Sequence, residues 1–490
     1  MKGISVSWVE RFLRSDRLKA ALVSRRLPWV LALVAMAVTT PSLLAGFYQD
    51  DHLIRLRFQN FEGLPGIEGR LFDTCTFGDG NPEQTLARME RGIVPWWGDP
   101  EWKVAFGRPL IGLSHYIDWL LFGDNAFAMH AHNILWYGAL VLLITLLYRR
   151  LLSPGWVAGL AAFMFAIDAT HAIPVGWIAT RNAPLSSVFI VLIIYLHDRW
   201  RRDGWRPGQW LALLCLAVGL LGSEATVASG AYLAGHALFI DRDGNVAKRF
   251  ARLLPYLAVV IVWRVWYDAQ GYGVHGTMLY TDPLTQPILF LEEVVHYLPL
   301  LLFGMFGAGD PAVGVFLPQP WMAIVYVAVL GALAFVGWML WPLLKRDATA
   351  RFWATGMVLS ALPICTTIPQ IRELMNPSIG AFALIALFLG RLAERERAGS
   401  TRYWAWAGRL AGVWIVFHLI VSLLSTPVLA YSGTVMPESI ARRVVDTAPK
   451  DGAFETLVIV YAPADLIGAV LPIMRAVENE YTPLYGRTLC

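Results

Sequence analysis

The stretch LPWVLALVAMAVTTPSLLA, residues 27–45, is followed after one glycine by FYQDDH, residues 47–52. An apolar run of about 20 residues is long enough to cross a bilayer as a helix. Asp50, Asp51 and His52 therefore lie where a membrane helix leaves the hydrocarbon. Burying charged groups at that depth is costly unless they are solvated, paired or needed for function. Adjacent carboxylates also repel each other, which raises the pKa of one of them. The stretch predicts either a reaction centre or an interfacial stop signal that only ends the helix.

The composition places the whole chain in the membrane class. Of the 490 residues, 57% are hydrophobic and only 16% are charged, with a mean hydropathy of +0.52. A soluble domain carries about 25% charged residues. The 21 tryptophans fit a membrane protein, because indole rings favour the interface. The net charge of +4 is too small to indicate a nucleic-acid partner, so the sequence predicts an all-α polytopic membrane protein.

Basic residues alternate with the apolar runs and predict a topology. The segment 1–26 is rich in lysine and arginine, which places it in the cytoplasm by the positive-inside rule. The pattern predicts about eleven spans in the plasma (inner) membrane, with the C-terminus external. We expect a transmembrane domain over 27–431, which includes an outer loop at 48–124, and an external mixed α/β tail over 432–490.

Two apolar stretches do not fit simple spans. The stretch from Leu110 to Gly123 contains His115 and Asp118, and it is interpreted as an amphipathic helix in the outer interface. The segment 287–306 lies within an external loop and contains acidic residues. It is interpreted as a surface helix or a re-entrant hairpin, with a pair of short spans as the less favoured alternative.

The four cysteines show no metal-ligand spacing. Cys215 and Cys365 lie in apolar runs and are interpreted as packing residues. Cys75 and Cys490 both fall on the predicted external side, where a disulfide between them is conceivable.

The predicted topology gathers polar side chains from many segments on the outer face. The set consists of Asp50, Asp51, Arg108, Asp118, His171, Arg181, Glu224, Arg264 and Arg372. Each one alone has a plainer explanation, such as a helix cap or an arginine that snorkels to the headgroups. Together they predict a reaction centre or a transport vestibule.

The same residues carry a resemblance to a family. The order of motifs is similar to that of GT-C membrane glycosyltransferases over about residues 30 to 395. The matching motifs are Gln49-Asp50-Asp51-His52, Arg108-Pro109-Leu110, the stretch 117–123, His130-Ala131-His132-Asn133, His171 with 175–181, Gly222-Ser223-Glu224, and the stretch 372–380. The resemblance is closest to the protein O-mannosyltransferase-like branch that often carries tetratricopeptide repeats. It implies a GT-C-like helix bundle with interface helices in the first outer loop.

The chain departs from that family pattern at several positions. Asp168-Ala169 stands where the family has His-Pro, and Ile173 stands where it has a glutamate. Ser223 is followed directly by Glu224, without the intervening lysine, and Tyr137 replaces a helix-borne histidine. No tetratricopeptide repeat is evident. These changes leave the substrate open, and also whether the protein is active.

The resemblance implies transfer of a sugar from a polyprenyl-phosphate-linked donor to an acceptor hydroxyl of a protein, glycan or lipid. Asp50 or Asp51 is the candidate base, with His171 and Glu224 shaping the pocket or orienting that base. Arg372 is the first candidate for the donor phosphate, followed by Arg181 and Arg264. The remaining predicted substrate-binding residues are His52, Arg108 and Asp118.

A cofactor is not required by this chemistry. Asp51, His171 and Glu224 are suitable ligand types for a divalent metal, but a monophosphate donor does not need one.

Two other classes of function compete with this hypothesis. A transporter also gathers charges, although usually at mid-bilayer with broken helices and inverted repeats, which the sequence does not suggest. A catalytically inactive GT-C-like scaffold or lipid-binding protein is the main alternative, because two family positions are missing.

Overall fold

The chain is a mostly helical polytopic membrane protein. The computed structural model describes residues 4–59, 72–90, 93–277, 279–307, 309–394, 401–447, 456–458, 473 and 487–489. The helices of the first half are α1 (Ile4–Leu13), α2 (Asp16–Val23), α3 (Leu27–Thr39), α4 (Asp50–Phe58), α5 (Pro82–Glu90), α6 (Pro109–Phe122), α7 (Ala126–Leu151), α8 (Gly155–Ala166), α9 (Ala172–Gly176), α10 (Asn182–Asp203) and α11 (Pro207–Leu220). Those of the second half are α12 (Ser229–Phe239), α13 (Val246–Ala251), α14 (Leu254–Ala269), α15 (Pro287–Phe306), α16 (Val313–Phe316), α17 (Trp321–Arg346), α18 (Ala348–Ala361), α19 (Met375–Ala393), α20 (Thr401–Ile415) and α21 (Ser422–Thr447).

The strands form two small sheets. β1 (Thr76–Asp79), β2 (Lys103–Ala105) and β3 (Gly273–His275) are antiparallel in that order, and Val104 pairs with Val274. β4 (Thr456–Val458) and β5 (Arg487–Leu489) are parallel. The first sheet joins the loop after the first span to the loop after α14, on the side of the bundle that carries Asp50. We call this side the site face.

The apolar runs of the sequence lie in helices. Among the described residues, 7 helices are long and apolar enough to cross a membrane, or 8 when the bent pair Gly155–Ala166 and Ala169–Gly176 is counted as one span. Several predicted spans correspond to shorter helices, such as Pro207–Leu220 and Ser229–Phe239. The count of about eleven therefore stays a prediction.

Helix α19 forms the centre of the bundle. Its span is 94% buried, as expected for a helix that is apolar on all sides. Gly380 allows a close approach, because a Cβ there would lie 2.5 Å from the carbonyl oxygen of Trp353. Tyr148 and Tyr232 donate hydrogen bonds to the carbonyls of Ile379 and Asn376, at 2.6 and 2.8 Å. This helix begins at Met375, three residues after Arg372.

The stretch 109–122 is one helix, α6, as predicted. Its polar residues His115 and Asp118 are buried, whereas Leu120 and Leu121 are 64% and 69% exposed. The helix therefore turns its polar side into the protein and its leucines outward. An outward apolar side fits contact with lipid, and the interfacial location remains a prediction.

The segment 287–306 is one continuous helix, α15, and not a hairpin or a pair of short spans. Its length and composition would allow it to cross a membrane. Near its start, Glu293 accepts a hydrogen bond from Thr281 at 2.8 Å, whereas Leu301 and Phe306 near its end are buried in the main core. The surface-helix interpretation therefore stays a prediction.

The boundary expected near residue 431 is not a break in the helix. α21 runs without interruption from Ser422 to Thr447, so its last part lies in the stretch expected to be an external tail. β4 and β5 are the strands that the structure describes in that stretch. Cys490 also lies outside them, so its pairing with Cys75 stays a prediction; the thiol of Cys75 is free and buried.

Candidate active site

A strained turn connects the first span to α4. Gln49 has φ 41°, and it is the one non-glycine residue with a positive φ among those that the structure describes. Such a conformation costs roughly 1–3 kcal/mol and persists only where the surroundings hold it. The turn starts α4 at Asp50, directly beneath the end of the first span.

Asp51 anchors this turn. It is 2% exposed, and it accepts hydrogen bonds from the backbone N–H groups of Tyr48 at 2.9 Å and Ala179 at 2.7 Å. Its two oxygens thus join the start of α4 to the turn before α10. A carboxylate used in this way positions its neighbours and is poorly placed to take a proton from a substrate.

Asp50 differs from Asp51 in both exposure and partners. Its side chain is partly exposed and accepts no hydrogen bond from any described residue. Burial raises the pKa of Asp50 from 3.8 to about 6, against the opposing effect of the positive charges of Arg372 and Arg57. A carboxylate with a pKa near the working pH, and with free oxygens, has the properties of a general base.

Arg372 lies near Asp50, at the turn before α19. Its guanidinium is 5.3 Å from the ring centroid of Trp177, and its Nε donates to Glu373 at 3.1 Å. The two terminal nitrogens donate to no described residue. These two nitrogens are therefore available to donate to an anionic ligand, and the planar arrangement of guanidinium donors suits a phosphate.

Two aromatic rings complete the surroundings of Asp50. The rings of Tyr48 and Trp177 lie 5.0 Å apart, and Trp177 Nε1 donates to the carbonyl of Tyr48 at 3.2 Å. Burial, followed by the charge of Asp50, raises the pKa of Tyr48 to about 12, so its hydroxyl stays protonated. Tyr48, Asp50, Trp177 and Arg372 together form the patch that we call the mouth.

Arg57 lies on the same helix as Asp50 and anchors that helix to the loop that follows it. It lies two helical turns after Asp50 on α4, and its terminal nitrogens donate to the carbonyls of Asp73 and Thr76. Burial lowers the pKa of Arg57 to about 10, which leaves it charged at neutral pH. Arg57 was not among the residues predicted from the sequence, because 48–124 was expected to be an outer loop. A helix starting at Asp50 would have placed the two on one side.

Arg181 and Asp118 form a buried framework next to the mouth. Arg181 is 0% exposed, pairs with Asp118 at 2.5 Å, and donates to Asn133 at 2.6 Å and Ser114 at 2.9 Å. Asp118 also lies 2.7 Å from Nδ1 of His132. With its donors used in this way, Arg181 joins α6, α7 and α10 and has little capacity left for a donor phosphate.

The other predicted residues lie in three separate places. His171 is fully buried, with Tyr137 at 3.1 Å and Ser378 at 3.0 Å from its two ring nitrogens. Arg108 pairs with Glu224 at 2.8 Å in a partly exposed position. A third position holds Arg264, which pairs with Asp268 and Asp282 at 2.8 and 2.9 Å.

The structure does not bring the possible metal ligands together. Within the described part of the chain, no group of three or more His, Cys, Asp and Glu side chains is arranged to hold a metal ion. Asp51, His171 and Glu224 each have the different partners given above.

Helix α21 contributes a residue that the sequence did not indicate. Glu438 lies 3.0 Å from Nε2 of His52, which is 1% exposed. The two residues are 386 positions apart, and only the folded chain shows their proximity. The predicted residue His52 thus links α4 to α21 and does not face the mouth directly.

No protein-family model matches the sequence, and no curated protein matches it. Among solved structures, the chain is similar to the oligosaccharyltransferase of Archaeoglobus fulgidus in its apo form, at 12% identity and a TM-score of 0.41 over 95% of this chain and 64% of that one. The chain thus spans less than two thirds of that protein. It is also similar to ArnT from Cupriavidus metallidurans in the apo state, at 12% identity and a TM-score of 0.45 over 94% of this chain and 88% of that one. ArnT bound to undecaprenyl phosphate gives 14% identity and a TM-score of 0.40, over 92% of this chain and 87% of that one.

Both proteins are GT-C glycosyltransferases, the class that the motifs of this chain resemble. Similarity at this level does not by itself assign an activity to the chain.

Proposed function

We propose that this chain is an integral membrane glycosyltransferase that moves a sugar from a polyprenyl-phosphate-linked donor to an acceptor hydroxyl. One observation supports this most strongly. Asp50 has a raised pKa and lies near Arg372, and neither the Asp50 oxygens nor the terminal nitrogens of Arg372 have a hydrogen-bond partner among the described residues. The two side chains supply a proton acceptor and a phosphate ligand at one mouth.

The proposed transfer uses these groups in one displacement. The lipid tail stays in the bilayer, and its phosphate binds Arg372. The acceptor hydroxyl gives its proton to Asp50 as its oxygen bonds to the anomeric carbon. The bond between that carbon and the phosphate oxygen breaks, and the electron pair leaves with the polyprenyl phosphate. Arg372 stabilises the charge that develops there, and Tyr48 and Trp177 offer apolar faces to the sugar.

The remaining predicted site residues have supporting roles in this proposal. Asp51 holds the Asp50 turn, Asp118 and Arg181 hold the neighbouring helices, and His171 holds the core beneath them. The pair of Arg108 and Glu224 is partly exposed and remains a candidate substrate contact. Arg264 is ranked below Arg372 for the phosphate, because two carboxylates already surround it.

The proposal includes an orientation in the plasma membrane, with the mouth outside and the N-terminus in the cytoplasm. The basic ends of the predicted spans motivate it. Trp97, which is 56% exposed at the site face, and Arg346, at the other end of α17, are suitable positions for single cysteines. A membrane-impermeant thiol reagent added to intact cells should label Trp97→Cys and spare Arg346→Cys. The reverse pattern would place the mouth in the cytoplasm.

Mass spectrometry of cell-envelope lipids and glycans tests the function itself. Cells lacking the gene are compared with the same cells complemented by the wild-type protein or by Asp50→Asn. We expect one glycan or lipid to lose a sugar in the deletion strain, and only the wild-type protein to restore it. Restoration by Asp50→Asn at equal protein level would instead favour the inactive-scaffold alternative.

A further inference from the structure

Glu438 joins α21 to the helix that carries Asp50. Its Oε1 lies 3.0 Å from Nε2 of His52 and 3.3 Å from Nε of Arg442. Two turns earlier in α21, the backbone packs closely on the end of α9, since a Cβ at Gly176 would lie 2.7 Å from the carbonyl oxygen of Ala430. The last turns of α21 are therefore held against the site, and Glu438 is fixed in place.

The proton on His52 can be assigned from its partners. Nδ1 lies 3.3 Å from a terminal nitrogen of Arg55, and an arginine can only donate. Nδ1 is therefore the acceptor, and the ring proton lies on Nε2, which donates to Glu438 Oε1. Arg55 is itself paired with Asp124. Oε1 of Glu438 thus accepts the hydrogen bond from His52.

The other oxygen of Glu438 accepts no hydrogen bond from the part of the chain that the structure describes. Oε2 is buried without a hydrogen bond from any described residue, and the whole residue is only 6% exposed. Buried polar atoms are nearly always hydrogen-bonded, so an unpaired carboxylate oxygen needs an explanation. It belongs to the same site, because Oε1 of Glu438 contacts His52 at 3.0 Å, and His52 lies on the first turn of α4 with Asp50 and Asp51.

We propose that Oε2 of Glu438 is a substrate subsite that accepts a hydrogen bond from a hydroxyl or ammonium group. A carboxylate oxygen is an acceptor only, so its ligand has to carry a donor. Sugars and hydroxyl-bearing acceptors both present such groups. This inference rests on the proposed function and adds a specificity-determining residue to it.

The variant Glu438→Gln separates the subsite from the structural contact. Because His52 Nε2 donates, the amide oxygen of the glutamine stays on His52, and the amide nitrogen takes the place of Oε2. The fold is retained, but an acceptor becomes a donor. Ser439→Ala is the matched control, since Ser439 is partly exposed on the same turn and, among the described residues, its hydroxyl bonds to the carbonyl of Met436. Thermal unfolding of the purified proteins checks that both variants fold.

The probes are undecaprenyl phosphate alone and a panel of undecaprenyl-phosphate hexoses and pentoses, bound to the full chain in nanodiscs. The sugar that adds most affinity for the wild type is then used in transfer assays with the acceptor. A hydrogen bond to a charged group corresponds to roughly a 10- to 100-fold effect. If the subsite holds the donor sugar, Glu438→Gln loses that affinity gain and binds the bare lipid normally. If it holds the acceptor, donor binding is unchanged and the acceptor KM rises by the same factor.

Equal donor affinity and equal acceptor KM in Glu438→Gln and the wild type would overturn the subsite while leaving the proposed function intact. A wild-type protein that gains no affinity from any sugar and transfers none would overturn the proposed function, and the subsite with it.

Discussion

The pH dependence of transfer follows from the environment of Asp50. With a pKa of about 6, its carboxyl is about 90% ionised at pH 7 and about 10% ionised at pH 5. The ionised form is the base, so lowering the pH from 7 to 5 should reduce the rate about tenfold. A carboxyl with the ordinary value of 3.8 would be about 94% ionised at pH 5 and would show almost no change.

The assay is the initial rate of sugar transfer in proteoliposomes at saturating donor, measured from pH 4.5 to 8. Arg372→Gln removes a charge that lowers the pKa of Asp50, so its acidic limb should move to higher pH. Asp50→Asn should retain a low rate, about 10²- to 10⁴-fold below wild type, that does not vary with pH in this range. A wild-type rate that is constant between pH 5 and pH 7 would refute the role of Asp50 as the titrating base.

Three further outcomes follow from the same contacts. Asp50→Asn should raise the free energy of unfolding at pH 7 by about 1–2 kcal/mol, because the pKa of Asp50 is higher in the folded protein than in the unfolded chain and its ionisation favours unfolding. The variant should therefore have a higher Tm than the wild type at pH 7, and this difference in Tm should disappear below about pH 4. Asp51→Asn should lower the free energy of unfolding by about 1–3 kcal/mol, since one of two buried backbone N–H groups loses its acceptor, and an unchanged Tm would contradict the anchoring role. Arg181→Met should lower the free energy of unfolding by about 3–5 kcal/mol, because Asp118 would stay buried without its cation. If the variant instead keeps the stability of the wild type and only binds the donor more weakly, Arg181 contacts the phosphate.

The sequence was sufficient for the class of fold. Apolar runs with basic ends are typical of helices that cross a membrane, and those runs lie in helices. Asp50 and Arg372 were both candidates from the sequence, because charged residues beside apolar runs are unusual, and their roles stay predictions.

The sequence could not separate residues that hold the site from residues that face the substrate. Asp50 and Asp51 are neighbours, yet only Asp51 is used by the backbone of Tyr48 and Ala179. Arg181 was a candidate phosphate ligand because the sequence does not show its partners: Asn133, which accepts a hydrogen bond from it, is 48 positions away. Long-range hydrogen bonds of this kind leave no local pattern.

The contribution of α21 was missed for a related reason. Glu438 lies in a stretch that appeared to belong to an external tail, and its partner His52 is 386 positions away. The helix continues through Pro437, which a local pattern treats as a break.

The most direct test of the central claim is the release of polyprenyl phosphate from a radiolabelled polyprenyl-phosphate sugar by the purified chain with its acceptor. Donor binding is measured on the same preparations. The account predicts release by the wild type, and a loss of about 10²- to 10⁴-fold in Asp50→Asn with donor affinity unchanged. Full release by Asp50→Asn, from protein that binds the donor normally, would contradict it.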